Sequence, residues 1–169
     1  MLATLKKIRR RRAPGELSVE QTHDQGLIAA LLDRAGTKAP AVSTDDAECF
    51  LIAYLGDDPV GIAGLKTEVD AALMRPLFVL ENMRGRGVGA SLVGSARVAA
   101  HARGARTLYA TAPVTVLDYF ERLGFAGAVF AELAKAFGQA PMLQRTRSSD
   151  ERRCRIVRLD ISRDGLIER

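Results

Sequence analysis

Three glycines and two arginines stand within seven residues, Arg84-Gly85-Arg86-Gly87-Val88-Gly89-Ala90. An apolar run, Leu77-Phe78-Val79-Leu80, precedes them, and helical spacing of Leu92, Ala96 and Ala99 follows from Val88. A strand therefore runs into a glycine-dense turn that opens directly into a helix. Glycine tolerates positive φ and lets a ligand approach the main chain closely. The first N–H groups of a helix have no intrahelical partner, and they lie at the positive end of its dipole. Arg84 and Arg86 add charge with a geometry suited to phosphate. These are the parts of a diphosphate site.

Several ligands could use such parts. The Gly-Lys-Ser/Thr of a nucleoside-triphosphate loop is missing. Gly85-x-Gly87-x-x-Ala90 satisfies the looser dinucleotide fingerprint, which also needs a carboxylate roughly 20 residues on, at the end of the next strand. That strand ends Tyr109-Ala110-Thr111, without an acid. Three or four strands also precede the turn, where a dinucleotide domain places its fingerprint near the start. The remaining alternative, a turn that merely packs helix on sheet, calls for fewer glycines and no arginines.

The elements that must hold this turn can be read from periodicity and turn chemistry. Residues 15 to 22 suit a first strand, and Thr22-His23-Asp24-Gln25 fits a capping box with Thr22 as N-cap. Leu27, Ile28, Leu31 and Leu32 follow at helical spacing up to Gly36, and the Pro-interrupted segment 37 to 46 reads as a loop. Cys49 to Leu55 and Val60 to Lys66 form a hairpin around Gly56-Asp57-Asp58-Pro59. Pro76 cannot donate to a ladder, so the apolar run Ala72 to Leu80 requires an edge, a bulge or a late start. Beyond the glycine turn come a helix to Gly104, a strand at Thr107 to Thr111, and a short helix from Leu117 to Leu123 closed by Gly124. Strands at Phe125 to Phe130 and Cys154 to Ile161 flank a helical or irregular stretch that includes Ala131 to Phe137. The order β-α-β-β-β-α-β-α-β-(α)-β describes an α/β fold, a mixed sheet with helices on its faces.

Composition sets the outer bounds. The 169 residues suit one domain, and 47 % hydrophobic with 27 % charged content is that of a soluble globular chain. No apolar run nears the ~20 residues of a membrane helix, and no signal peptide is visible. Cys49 and Cys154 match no CxxC spacing, which implies reduced thiols and a cytoplasmic setting. His23 and His101 have no partner at metal-ligand spacing, so no metal is expected. The net charge of +5 comes from Lys6, Lys7, Arg9, Arg10, Arg11 and Arg12; without those six the chain carries −1. Such a run reads first as a solvated, poorly ordered arm over residues 1 to 13, ahead of a single domain over 14 to 169. A basic arm can also hold phosphates, but no aromatic residue interleaves with it, and nucleic acid is not the expected partner.

At the glycine turn the sequence resembles the GCN5-related N-acetyltransferase (GNAT) superfamily, whose cofactor signature is Arg/Gln-x-x-Gly-x-Gly/Ala at a strand-to-helix junction. Arg84, Gly87 and Gly89 match it. Downstream, Phe120-Glu121-Arg122-Leu123-Gly124-Phe125 is similar to the family's Tyr-x-x-x-Gly-Phe segment, and the likeness covers roughly Val60 to Phe130. It implies a mostly antiparallel sheet of six or seven strands. It also implies acetyl-CoA as cosubstrate, direct transfer to a primary amine of a small or amino-acid-like acceptor, and a homodimer as the partner state. The cofactor-binding set is then Phe78, Val79, Arg84, Gly85, Arg86, Gly87, Val88, Gly89 and Ala90. The main chain at Phe78 and Val79 would bond the pantetheine arm, and an N–H there could hold the developing oxyanion.

The family's catalytic positions are only partly matched. The tyrosine that commonly protonates the leaving thiolate falls at Phe120. Tyr119 is adjacent but ~100° away around a helix; either a local one-residue shift brings its hydroxyl in as general acid, or it is a half-buried amphipathic residue. Pro113 stands where many relatives carry a cofactor-supporting asparagine. The base is unassigned: Glu68, Asp70 and Glu81 are candidates, and each also reads as a surface carboxylate. With these gaps, an idle CoA-binding module of the same fold stays open as the alternative. The Phe or Tyr-Phe pair is also similar to acetyltransferases related to N-acetylglutamate synthase and to arsenic-resistance operons. Their Arg- and Ser-rich insertion is faintly like Gln144-Arg145-Thr146-Arg147-Ser148-Ser149, an acceptor clamp or simply an exposed charged loop.

Overall fold

The computed structural model describes residues 12–35, 49–138, 143 and 153–162. Among them, β1 (Leu17–Thr22), α1 (Gln25–Arg34), β2 (Cys49–Leu55), β3 (Asp58–Glu68) and β4 (Ala71–Val79) precede the glycine turn. After it come α2 (Val88–Ala102), β5 (Thr107–Pro113), α3 (Leu117–Arg122), β6 (Ala126–Ala128), α4 (Phe130–Phe137) and β7 (Cys154–Asp160). The strands form one sheet in the order β1-β2-β3-β4-β5-β7-β6. Every neighbouring pair is antiparallel except β4–β5. The fold is thus the mixed, mostly antiparallel α/β arrangement anticipated from the sequence.

Period-2 alternation assigns the faces. On β2, Cys49, Leu51 and Ala53 join the core beneath α2, while Phe50, Ile52 and Tyr54 pack with Ile28, Leu31 and Leu32 of α1. On β4, Ala72 and Met74 face α2, and Ala71 and Leu73 pack with Leu133 and Phe137 of α4. Helices therefore cover both faces. Fully buried Leu92 and Leu108 each contribute on the order of 2 kcal/mol to holding α2 on the sheet.

Two local expectations need correction. The N-cap of α1 is Asp24, whose Oδ1 accepts from the Leu27 N–H at 3.0 Å. Thr22 still pairs with Phe50 as the last residue of β1, so the helix cannot begin there; its Oγ1 instead accepts from the Asp24 N–H at 3.1 Å. The strand foreseen from Phe125 to Phe130 is only three residues, Ala126–Ala128, and Phe130 already opens α4. Gly36, the segment 37 to 46, the run 144 to 149 and residues 1 to 11 lie outside the described residues. The end of the basic arm belongs to the folded body: the Arg12 guanidinium lies 3.6 Å from the Tyr54 ring centroid and 2.6 Å from Glu20.

Pro76 produces the bulge. Between Ala63↔Leu77 and Leu65↔Met74, β4 carries one residue more than β3, at Arg75-Pro76. The parallel pairing of β4 with β5 covers only Ala71↔Thr107 to Met74↔Ala110. Beyond Met74 the two strands part, although β4 continues to Val79 and β5 to Pro113.

Candidate functional site

The glycine turn stands where β4 and β5 have separated. The Leu80 N–H donates to the Val60 carbonyl at 2.9 Å, ending β4, and a single 3-10 turn spans Glu81–Met83. Gly85 and Gly87 then take φ values of 73° and 80°, left-handed conformations that L side chains rarely adopt. Gly87 is the N-cap of α2, and its carbonyl accepts from the Ser91 N–H at 3.0 Å. Among the described residues, the N–H groups from Gly85 to Ala90 donate to no backbone carbonyl. A Cβ at Gly85 or Gly87 would meet nothing within 4 Å, so both main-chain faces are open to a ligand. Arg84 ties the turn back to the strand, its Nε donating to the Val79 carbonyl at 3.2 Å.

Gly89 is different in kind. It lies inside α2, and a Cβ there would stand 2.8 Å from the Tyr119 hydroxyl and 3.8 Å from Val79 Cγ2. What crowds a side chain at this position is the tip of Tyr119, not backbone conformation.

A cavity of about 590 Å³ fills the gap between the parted strands. The bulged half of β4, from Met74 to Val79, forms one wall. Arg84, Gly85, Gly87, Val88, Gly89 and Ala90 form the mouth, and Thr111, Pro113, Thr115, Val116, Tyr119 and Phe120 form the opposite wall. Beyond Met74 the side of β4 turned toward β5 has no strand partner. The Leu80–Val60 bond sets the alternation so that Phe78 faces β3, while Leu77 and Val79 turn their main-chain groups to the gap. Apart from the Val79 carbonyl, which Arg84 holds, those groups can meet an extended, amide-containing ligand. Phe120 is buried and stacks edge-to-face on Phe125 and Tyr119. Desolvation raises the Tyr119 pKa above its ordinary value, against a smaller opposing effect of Arg122, so the phenol stays protonated at neutral pH and can donate.

The structure brings together Phe78, Val79, Arg84, Gly85, Gly87, Val88, Gly89 and Ala90 around one cavity, with Tyr119 facing them. Arg86 is exposed and does not line it. None of the three candidate carboxylates does either. Glu68 and Asp70 flank the β3–β4 turn, at the far end of the sheet from the glycines, where the Asp70 carbonyl accepts from the Arg106 N–H at 2.7 Å. Glu81 borders a second cavity of about 690 Å³, with Arg34 and Asn82, which shares Phe78 and Arg84 with the first. Sequence reasoning missed Met74 to Leu77, Thr111, Thr115 and Val116 as wall residues. No motif marks them; only the parting of β4 from β5 exposes them. Among the described residues no three His, Cys, Asp or Glu side chains cluster as metal ligands, and no helix is long and apolar enough to cross a membrane.

These features fit a CoA-type ligand: free helix-start amides for a diphosphate, and an unpaired strand edge for an amide-bearing arm. Residues 46–126 match the family model of the acetyltransferase (GNAT) domain. The match covers just under half of the chain, and motif and topology agree with it: over these residues the chain is similar to the GNAT superfamily. The fold is similar to that of N-acetylglutamate synthase from Neisseria gonorrhoeae, solved with coenzyme A and N-acetyl-glutamate, at 22% identity and TM-score 0.65. That match covers 88% of this chain but 36% of the synthase, so the chain spans about a third of that protein's length. Arabidopsis thaliana Naa50, solved with a bisubstrate analogue containing CoA, is 16% identical with TM-score 0.60, over 85% of this chain and 98% of its own. An acetyltransferase from Streptococcus agalactiae is 16% identical with TM-score 0.63, over 85% and 98%. No curated protein matches the sequence.

Proposed function

We propose that this chain is an acetyl-CoA-dependent N-acetyltransferase that transfers an acetyl group to a primary amine of a small or amino-acid-like acceptor. The observation that carries the reading is the gap between β4 and β5 beyond Met74↔Ala110, opening onto the unpaired amides of Gly85 to Ala90. A bound CoA thioester supplies the activated acetyl group. The protein's own contribution is positional. Helix-start amides and Arg84 hold the diphosphate, and the free edge of β4 at Leu77 and Val79 holds the arm, with the Phe78 main chain engaged on the β3 side. An N–H on that edge is available to the thioester carbonyl oxygen. Holding amine and thioester in line in one ternary complex supplies much of the acceleration without a special side chain. The bound structures of the synthase and of Naa50 support CoA as the ligand class.

A second reading is a CoA-binding module without turnover. It is favoured by the buried phenyl ring of Phe120 in the family's acid position, and by the absence of Glu68, Asp70 and Glu81 from the cavity. Calorimetric titration with CoA, followed by thiol release from acetyl-CoA across a panel of amines, tests both. Amine-dependent thiol release supports the enzyme, and binding without it supports the module. No binding refutes the site.

A further inference from the structure

Tyr119 is drawn toward the wrong end of the cavity for a proton donor to sulfur. Its hydroxyl stands over the first turn of α2, 2.8 Å from the point a Gly89 Cβ would occupy, and that point is 3.8 Å from Val79 Cγ2. Val79 is the last residue of β4, and the strands rejoin only at Met74↔Ala110. At ~3.3 Å per residue, Val79 and Met74 are roughly 16 Å apart along the strand. That distance is comparable with the length of an extended pantetheine arm. With the diphosphate on the amides of Gly85 to Ala90, the sulfur lies toward Met74 and the Tyr119 hydroxyl lies at the opposite, phosphate end. No hydrogen-bond partner satisfies this hydroxyl among the described residues, although its ring is packed against Phe120. Gly89 leaves it the space.

We propose that Tyr119 is a positioning residue whose hydroxyl donates a hydrogen bond to the cofactor where its diphosphate meets the pantetheine arm, instead of protonating the leaving sulfur. The inference rests on the CoA-site reading above. It gives the glycine turn a side-chain clamp supplied from α3, on the far wall of the cavity. The raised pKa of Tyr119 keeps the donor protonated across the working range.

The test compares wild type, Tyr119→Phe and Gly89→Ala, with circular dichroism to establish folding. A hydrogen bond to a charged group is worth about a tenfold change in affinity. Tyr119→Phe should therefore raise the Kd of CoA and the KM of acetyl-CoA about tenfold, lower kcat less than twofold, and leave the alkaline limb of kcat in place. With S-acetyl-pantetheine, which lacks the diphosphate, the two proteins should have equal kcat/KM. Gly89→Ala, which pushes the hydroxyl aside, should weaken CoA binding comparably, and adding it to Tyr119→Phe should cost little more. If Tyr119→Phe does not fold, Gly89→Ala carries the test. A large fall in kcat with the alkaline limb displaced and KM unchanged would overturn the inference in favour of a proton donor. Unchanged CoA binding in the variants would reduce Tyr119 to packing. Failure of wild type itself to bind CoA would instead refute the reading of the whole site.

Discussion

The two walls of the cavity are built on different principles. The glycine wall, from Phe78 to Ala90, offers main-chain groups: an unpaired strand edge, two left-handed glycines and the open start of α2. The facing wall offers side chains, with Thr111 and Pro113 from β5, Thr115 and Val116 from the turn after it, and Tyr119 and Phe120 from α3. A main-chain site leaves a signature in sequence, because only certain residues permit the required φ or close approach. A side-chain site assembled from separate elements leaves none. The difference predicts that substitutions on the glycine wall abolish binding through geometry, whereas those on the facing wall tune affinity or rate one group at a time.

The sharpest challenge to that contrast is Gly87→Glu. The position has φ +80° and open space around it, so the side chain costs about 1–3 kcal/mol in strain and sets a carboxylate beside the proposed diphosphate. CoA binding should fall at least a hundredfold by calorimetry while the far-ultraviolet circular dichroism stays native. Affinity within tenfold of wild type would remove the glycine turn from the site.

Gly61→Ala probes the support beneath the same wall. A Cβ at Gly61 would stand 2.9 Å from the Phe78 carbonyl oxygen and 3.0 Å from Leu92. Overpacking of this kind costs ~1–3 kcal/mol. The urea midpoint should drop accordingly, and CoA affinity should fall with it, because Phe78 and the start of α2 must shift. A stability loss with unchanged affinity would show that the β3–β4 packing does not set the cavity.

Arg12→Ala tests a region outside both walls. Losing the contact with Tyr54 and the ion pair with Glu20 should cost ~1 kcal/mol in chemical denaturation, with CoA affinity unaltered. The smallest expected effect belongs to Glu68→Gln and Asp70→Asn, which should leave kcat within twofold. A tenfold loss in either would bring a distant carboxylate into the chemistry and break the separation drawn here.

Much of the frame was legible in advance. The strand-like run of β2, the stops at Gly104 and Gly124, and the strand-turn-helix around Gly87 all answered to local rules, and the element order followed. Local rules failed where tertiary pairing competed. Thr22 was claimed by β1 through Phe50, so Asp24 became the cap. Pro76 signalled an irregularity, but only the register between β3 and β4 identifies it as a bulge.

Sequence alone determined the glycine turn and the helix that opens from it, because left-handed backbone and helix initiation depend on residues adjacent in the chain. Tertiary structure decided what the turn faces. The parting of β4 from β5, the meeting of Tyr119 with Gly89, and the remoteness of Glu68 and Asp70 depend on which strand pairs with which and where that pairing stops. Such long-range geometry is fixed by packing across the whole sheet, and no short stretch of residues encodes it.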